Sequence, residues 1–261
     1  MADFCGFWRF LLIFKVFFIR IVGMRLDLAL VAQNIYPTRA KATAAIKAGL
    51  VFVNGVLAQK PSQMVADADV LRGDALPYVS GRGSLKLERA LDAFGVDVTG
   101  SVCLDVGAST GGFTEVLLSR GAKKVFAVDV GTNQLVPELR SDARVVSLEQ
   151  TDIRTLSPMA PVDLIVIDVS FISLADIVGA LVGWKPKNVI ALIKPQFEVP
   201  RNIAAAAHGV IKSDQWHEYA IKRATDAFAS AGFELSANVI ESPIRGGSGN
   251  IEYLAHFARH I

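Results

Sequence analysis

The 261-residue sequence has few of the residues that stabilise small folds through covalent or metal chemistry. Its two cysteines, Cys5 and Cys103, are too few for a disulfide framework or a thiolate metal site, so a reducing compartment is expected. Its four histidines, His208, His217, His256 and His260, show no ligand spacing, and no metal is expected. There is no repeated short unit, and 21 Gly with 10 Pro suit neither a fibre nor a disordered chain. A long apolar run is also missing. The Phe-rich opening, residues 1–23, is interrupted by Arg9, Lys15 and Arg20, leaving uncharged stretches no longer than Phe10–Phe14, whereas a spanning helix needs about 20 apolar residues. Those cations share no helical stripe, and no signal-peptide layout surrounds them. The expectation is an upstream start codon with Met24 as the true beginning, and membrane association is open only through residues 1–23.

An excess of one charge sign is absent too: 27 basic and 25 acidic residues give +2. Near-neutrality at first argues against a nucleic-acid partner, but the charges are segregated. Residues 1–23 carry +2; residues 24–66 carry Arg25, Arg39, Lys41, Lys47 and Lys60 against Asp27 alone, or +4; the remaining 195 residues carry −4. A basic module followed by a larger acidic one is the electrostatic footprint of an RNA-gripping segment joined to a second domain.

In the basic module, Leu26, Leu28, Leu30 and Val31 mark a short helix ending before Tyr36-Pro37. Thr38 is placed to cap a second helix over Arg39–Ala48, with Gly49 as its stop. Asn54-Gly55 inside an apolar run signals a hairpin, with Ile46, Leu50 and Phe52 expected in the core. Helix, basic helix and hairpin in this order, with Arg25-Leu-Asp, Thr38-Arg-Ala-Lys, Gly49-Leu-Val-Phe-Val-Asn-Gly and Lys60-Pro, resemble the alpha-L RNA-binding domain. The resemblance implies that Arg25, Arg39, Lys41, Lys47 and Lys60 contact RNA, the cations serving affinity rather than base reading. The expected domains are 24–80 for this module and 81–261 for the remainder, with a Gly- and Pro-containing linker at residues 73–83.

Beyond the linker, Val102–Val106, Val125–Asp129, Leu164–Asp168 and Val189–Ile193 read as buried parallel strands separated by helical stretches. The fold class expected is α/β, a doubly wound Rossmann-like sheet, with 233–240 and 251–257 closing it as an antiparallel pair. Ligands bind such sheets at the carboxyl ends of the strands. The first strand runs into Asp105-Val-Gly107-Ala-Ser109-Thr-Gly111-Gly112-Phe113, whose spacing is neither the dinucleotide Gly-x-Gly-x-x-Gly nor a Walker loop. Asp129 ends the second strand, 22 residues after Gly107, where it can accept from ribose hydroxyls; Asp152 follows the third and can accept from an adenine amino group. A nucleoside held without a pyrophosphate fits S-adenosylmethionine, with Asp105 either touching the cofactor or orienting its loop.

Asp168 and Lys194 close adjacent apolar strands and face one crevice, as a simple ion pair or, with Lys86 and Glu252 added, as a larger polar site. Ser109-Thr-Gly-Gly-Phe, Ala127-Val-Asp-Val-Gly, Asp168-Val-Ser-Phe-Ile-Ser-Leu, Lys194-Pro-Gln-Phe-Glu and Gly249-Asn-Ile-Glu together are similar to the TlyA, or hemolysin A-like, family of rRNA 2′-O-methyltransferases, whose catalytic domain is FtsJ-like. That resemblance implies a Lys–Asp–Lys–Glu tetrad on Lys86, Asp168, Lys194 and Glu252. It implies S-adenosylmethionine as cofactor, a cytoplasmic location, and ribosomal RNA or ribosomal subunits as partner; no protein partner is expected. Lys194 would activate the 2′-hydroxyl, as a neutral base or as a cation beside the developing alkoxide. The chain departs from the family pattern at Ser80-Gly-Arg-Gly-Ser84, at Thr151-Asp152 and across Ile203–His208. Two rival functions are a membrane-active hemolysin and an RNA-binding protein with a residual methyltransferase fold.

Overall fold

A computed structural model describes residues 23–36, 38–47, 49–73 and 82–259. The opening extension up to residue 22 and most of the 73–83 linker lie outside the described residues. The chain divides into two compact units, Met1–Leu76 and Pro77–Ile261.

In the first unit, β1 (Met24–Arg25) pairs with β4 (Met64–Val65), and α1 (Leu26–Ala32) packs on α2 (Arg39–Lys47). The Thr38 hydroxyl accepts the Lys41 N–H at 3.2 Å, the expected cap of α2. Asn54 and Gly55 both take positive φ, 52° and 80°, which joins β2 (Val51–Val53) to β3 (Val56–Leu57) by a tight two-residue turn. β5 (Leu71–Gly73) completes that sheet on the other side of β2. Leu26, Leu30, Ala42, Ile46, Val51 and Val53 form the core, with Leu50 packed at its edge. Phe52 departs from expectation. Alternation along β2 turns it away from Val51 and Val53, and the Arg72 guanidinium lies 4.2 Å over its ring.

The second unit begins with α3 (Arg82–Phe94), followed by β6 (Val102–Val106), α4 (Gly112–Ser119), β7 (Lys124–Val128), α5 (Pro137–Arg140) and β8 (Val145–Leu148). Then come β9 (Leu164–Ile167), α6 (Val178–Leu181), β10 (Asn188–Ile193), the short α7 (Pro195–Glu198) and α8 (Arg201–Ala206), and the long α9 (Asp214–Ser230). The sheet order is β8, β7, β6, β9, β10, β13, β11, where β11 is Glu234–Leu235 and β13 is Tyr253–Ala258. The strands from β8 to β10 are parallel, and β13 runs antiparallel to β10. The expected strand at 233–240 is two short pieces, β11 and β12 (Ile240–Glu241), both paired with β13.

Alternate residues of each central strand enter opposite cores. Leu104, Val106, Ile165, Ile167 and Val189 face α9 through Ala220, Ala224 and Phe228. Cys103, Val125, Val166 and Ile190 face Leu87, Leu91, Val116 and Leu117 of α3 and α4. Both faces are therefore covered, which is why these strands read as unbroken apolar runs. The order reverses between β6 and β9, so the ligand crevice is expected outside their carboxyl ends.

Candidate active site

Two adjoining cavities open at that reversal. One, of about 710 Å³, is walled by Lys86, Asp168, Lys194, Glu252 and the Ile244–Ser248 loop. The other, of about 950 Å³, reaches Asp129, Asp152 and Ile153. They share Gly107, Ser109, Asp168, Ser170, Phe171 and Gln196, so a group held in one meets a group held in the other at the ends of β6 and β9.

The first cavity holds a connected set of charges drawn from four segments. Lys194 Nζ lies 2.6 Å from Asp168 Oδ1 and donates to the Ser170 hydroxyl at 3.0 Å. Lys86 Nζ donates to Glu252 Oε2 at 2.7 Å and lies 3.6 Å from Asp168 Oδ2. Asp168 thus stands between two ammonium groups. Lys86, Lys194 and Glu252 are buried, and the Asp168 side chain is 19% exposed, so a ligand approaches the set from the side of Asp168. Two lysines against two carboxylates balance in charge, which makes their shared burial tolerable. The local supports are specific. A Cβ at Gly246 would collide with the Glu252 carboxylate, and the Gly246 N–H donates to Asn250 O at 2.9 Å. Asn250 in turn accepts from Ile211 N and donates to Gly209 O, at 2.9 and 2.7 Å, which fixes the chain just before Glu252.

The second cavity is built around the turn after β6. Gly107, at φ 85°, passes so close to β9 that a Cβ there would stand 2.5 Å from the Asp168 carbonyl oxygen. Asp129 accepts from the N–H groups of Ser109 at 2.8 Å and Gly131 at 2.7 Å, tying the ends of β6 and β7 together on the cavity wall. Asp152 also lines the cavity, held by the Arg154 guanidinium at 2.6 Å, which keeps its carboxyl below the usual range. Phe113 lines the first cavity. A cradle lined by Gly107, Ser109 and the carboxylates of Asp129 and Asp152 fits a nucleoside-type cofactor such as S-adenosylmethionine.

Two of the expected cofactor contacts lie off the cavity walls. Gly111, at φ 102°, caps α4 and packs on Leu135 and Leu139. Asp105 shares the Cys103 face of β6, because alternation points it at α4; it is fully buried and accepts from the Thr114 hydroxyl at 2.6 Å. Burial pushes its carboxyl up to about 7, with the Thr114 bond opposing. Its side chain is therefore tied to α4 and turned away from both cavities. Phe171, by contrast, had no assigned role in the sequence. It is 92% exposed, held at φ 66°, and its ring lies 5.2 Å from that of Phe197 between the two cavities. An aromatic residue following a serine just after a strand end is the one local signal for it.

In the first unit, Arg25 and Arg39 both donate to the buried Asp27 carboxylate, at 2.9–3.0 Å. Arg39, Thr43 and Lys47 line one shallow concavity on α2 at helical four-residue spacing, while Lys60 is exposed elsewhere and Lys41 is half-buried. Among the described residues no cluster could hold a metal ion, and no helix is long and apolar enough to cross a membrane.

The FtsJ-like methyltransferase family model matches residues 78–259, and the S4 domain model matches residues 24–71. Hemolysin A of Brachyspira hyodysenteriae is 43% identical over 242 residues, covering 90% of this chain and 99% of that protein. The 16S/23S rRNA (cytidine-2'-O)-methyltransferase TlyA of Mycobacterium tuberculosis is 44% identical over 237 residues, covering 88% and 87%. A solved hemolysin-type structure from Streptococcus thermophilus superposes with a TM-score of 0.65 at 41% identity, over 92% of this chain and 90% of that one. The chain belongs to the FtsJ-like methyltransferase family, within its S4-bearing TlyA, or hemolysin A-like, group.

Proposed function

We propose that this protein transfers the methyl group of S-adenosylmethionine to ribose 2′-hydroxyls of cytidine in ribosomal RNA, acting in the cytoplasm. The observation that carries the reading is the joined Lys86–Glu252 and Lys194–Asp168 pairs at 2.7 and 2.6 Å, on the wall of one cavity that adjoins another suited to the cofactor. The cofactor supplies an electrophilic methyl on a sulfonium. Gly107, Ser109, Phe113, Asp129 and Asp152 would hold it, with Asp105 and Gly111 shaping the loop beneath.

Lys194 and Asp168 face the 2′-oxygen. Lys194 donates a hydrogen bond to it and stabilises the negative charge that develops as its proton leaves; that oxygen's electron pair would form the new C–O bond as the methyl–sulfur bond breaks, leaving a neutral thioether. Asp168 orients Lys194 and is the nearest acceptor for the departing proton. Lys86 and Glu252 position the ribose, and alignment of the reacting atoms supplies much of the rate. Residues 24–80 would grip RNA through Arg25, Arg39, Lys41, Lys47 and Lys60, leaving 81–261 to catalysis.

The test uses ribosomal subunits from cells lacking this gene, labelled cofactor, and mass spectrometry of the nucleosides. The wild-type chain should yield 2′-O-methylcytidine, and Lys194→Ala should yield none while still binding S-adenosylmethionine. Transfer that survives in Lys194→Ala, or a wild-type chain that yields no methylated ribose, overturns the reading. Residues 24–261 assayed for lysis and methylation separately should methylate without lysing.

A further inference from the structure

The β9–β10 ladder ends at Ile167 opposite Ala191. Asp168 and Lys194 both lie beyond it, and the Asp168 N–H bonds Val106 of β6 at 3.0 Å, so pairing between β9 and β10 does not itself set how far apart these two side chains stand. A second connection does. Glu198, at the end of α7 and four residues past Lys194, is fully buried and reaches across to the segment after β9. Its carboxylate accepts from the Ser173 hydroxyl at 2.5 Å and the Leu174 N–H at 2.8 Å. Ser173 also accepts from the Ala175 N–H at 3.2 Å, capping the turn that follows. From α9, Arg223 donates to the Glu198 carbonyl at 2.8 Å and stands 3.9 Å from its carboxylate.

We propose that Glu198 is a positioning residue for methyl transfer, a brace that locks the Asp168–Ser173 loop onto the Lys194–Glu198 turn and so fixes the Asp168–Lys194 geometry. The inference rests on the methyl-transfer reading above. The loop is held at both ends: by Lys194 on Asp168 and Ser170, and by Glu198 on Ser173 and Leu174. Between the two ties sits Phe171 in the left-handed region, a conformation that persists in a non-glycine residue only where the surroundings over-determine it. A buried carboxylate is costly unless hydrogen-bonded, and burial raises the Glu198 carboxyl above its ordinary value. Three elements converge on this one group, none of them through substrate. Its place is behind the site, as a support for groups that touch the ribose.

Glu198→Ala removes both bonds to the loop, and Ser173→Ala removes one of them together with the Ala175 cap. Glu198→Gln keeps them, since its amide oxygen can accept from Leu174 and its nitrogen can donate to Ser173. A misplacement of about 1 Å in reacting groups costs about a hundredfold in rate. The expected result is therefore a kcat lower by about a hundredfold in Glu198→Ala and about tenfold in Ser173→Ala, with Kd for S-adenosylmethionine within threefold of wild type. Glu198→Gln should restore kcat to within about fivefold. Hydrogen exchange over residues 168–174 should accelerate in the two alanine variants and stay at the wild-type rate in Glu198→Gln. A kcat within threefold of wild type in Ser173→Ala, unchanged exchange in that segment, or a cofactor Kd that rises in step with the loss of kcat overturns the brace. Should Glu198→Ala fail to fold, Ser173→Ala decides alone. A wild-type chain without methylation refutes the reaction instead, and the exchange measurement still judges the brace.

Discussion

Lys86 and Glu252, 166 residues apart in the chain, meet at 2.7 Å in a buried pair. The pair forms because Gly246 has no side chain: a Cβ there would occupy the space of the Glu252 carboxylate. Gly246→Ala should push Glu252 off Lys86 and lower methyl transfer by about tenfold or more, since displaced reacting groups lose alignment. Gly179→Ala, in α6 and off the walls of both cavities, meets nothing within 4 Å and should stay within about twofold of wild type. Equal rates in the two variants would count against a role for the Lys86–Glu252 contact.

The parts of this site that were legible in the sequence are those carried by local pattern. Apolar runs ending in Asp129, Asp168 and Lys194 announce buried parallel strands with polar groups at their carboxyl ends, and the sheet has them. The Thr38 cap and the Asn54-Gly55 turn are likewise short-range signals. What spacing does not encode is contact across long loops. The bond from Lys86 to Glu252 came from family resemblance, not from periodicity. Glu198 reads as one more acid in a motif, and only the fold turns it towards Ser173. A count of cations carries no sign that Arg25 and Arg39 both lean on Asp27. Phe52 and Asp105 show the same gap at strand scale, where the face a residue takes depends on which helices cover it.

Asp105 gives the second unit a pH signature. Its carboxyl, fully buried against α4, stands at about 7 in the folded chain against 3.8 when free. The folded state therefore keeps a proton that the unfolded state releases. Its contribution to stability is complete below about pH 4 and is lost as pH rises through about 7, by the linkage of proton binding to folding. Asp105→Asn should flatten this slope, so that the gap in unfolding free energy between wild type and variant shifts in the variant's favour from pH 5 to pH 8. The change is on the order of a few kcal/mol at most. Urea denaturation at the two pH values checks it, and parallel curves for the two proteins would exclude a raised Asp105.

Lys47 and Arg39 share a concavity on α2 but should respond differently to alanine. Arg39 bonds Asp27, whose carboxyl is pulled down to about 2, chiefly by Arg25 with Arg39 assisting. Asp27 contributes stability above about pH 4 that is lost as pH falls through about 2. Arg39→Ala should therefore lower the stability of the first unit as well as its RNA affinity. Lys47→Ala should leave stability within about 0.5 kcal/mol, being exposed. Its signature is a salt dependence of ribosomal RNA binding shallower by about one unit in the log–log slope, the mark of one lost phosphate contact. A slope unchanged in Lys47→Ala would remove that residue from the RNA interface.

Phe171 stands almost wholly in solvent, on a strained backbone, beside the two charged pairs. Burial cannot account for such a residue, because an exposed ring stabilises nothing by leaving water. Its position between the cavities, tilted 50° to the Phe197 ring, suits it to stack on the base whose ribose enters the site. Stacking of a base on an aromatic side chain is worth about 1–3 kcal/mol. Phe171→Ala should accordingly reduce kcat/KM for ribosomal subunits by about ten- to a hundredfold. Thermal stability and cofactor Kd should stay at wild-type values, since the ring packs against little else. Phe171→Trp, with a larger stacking face, should retain activity. Loss of activity in Phe171→Ala together with loss of cofactor binding would place the residue in the cofactor site instead of against the substrate base.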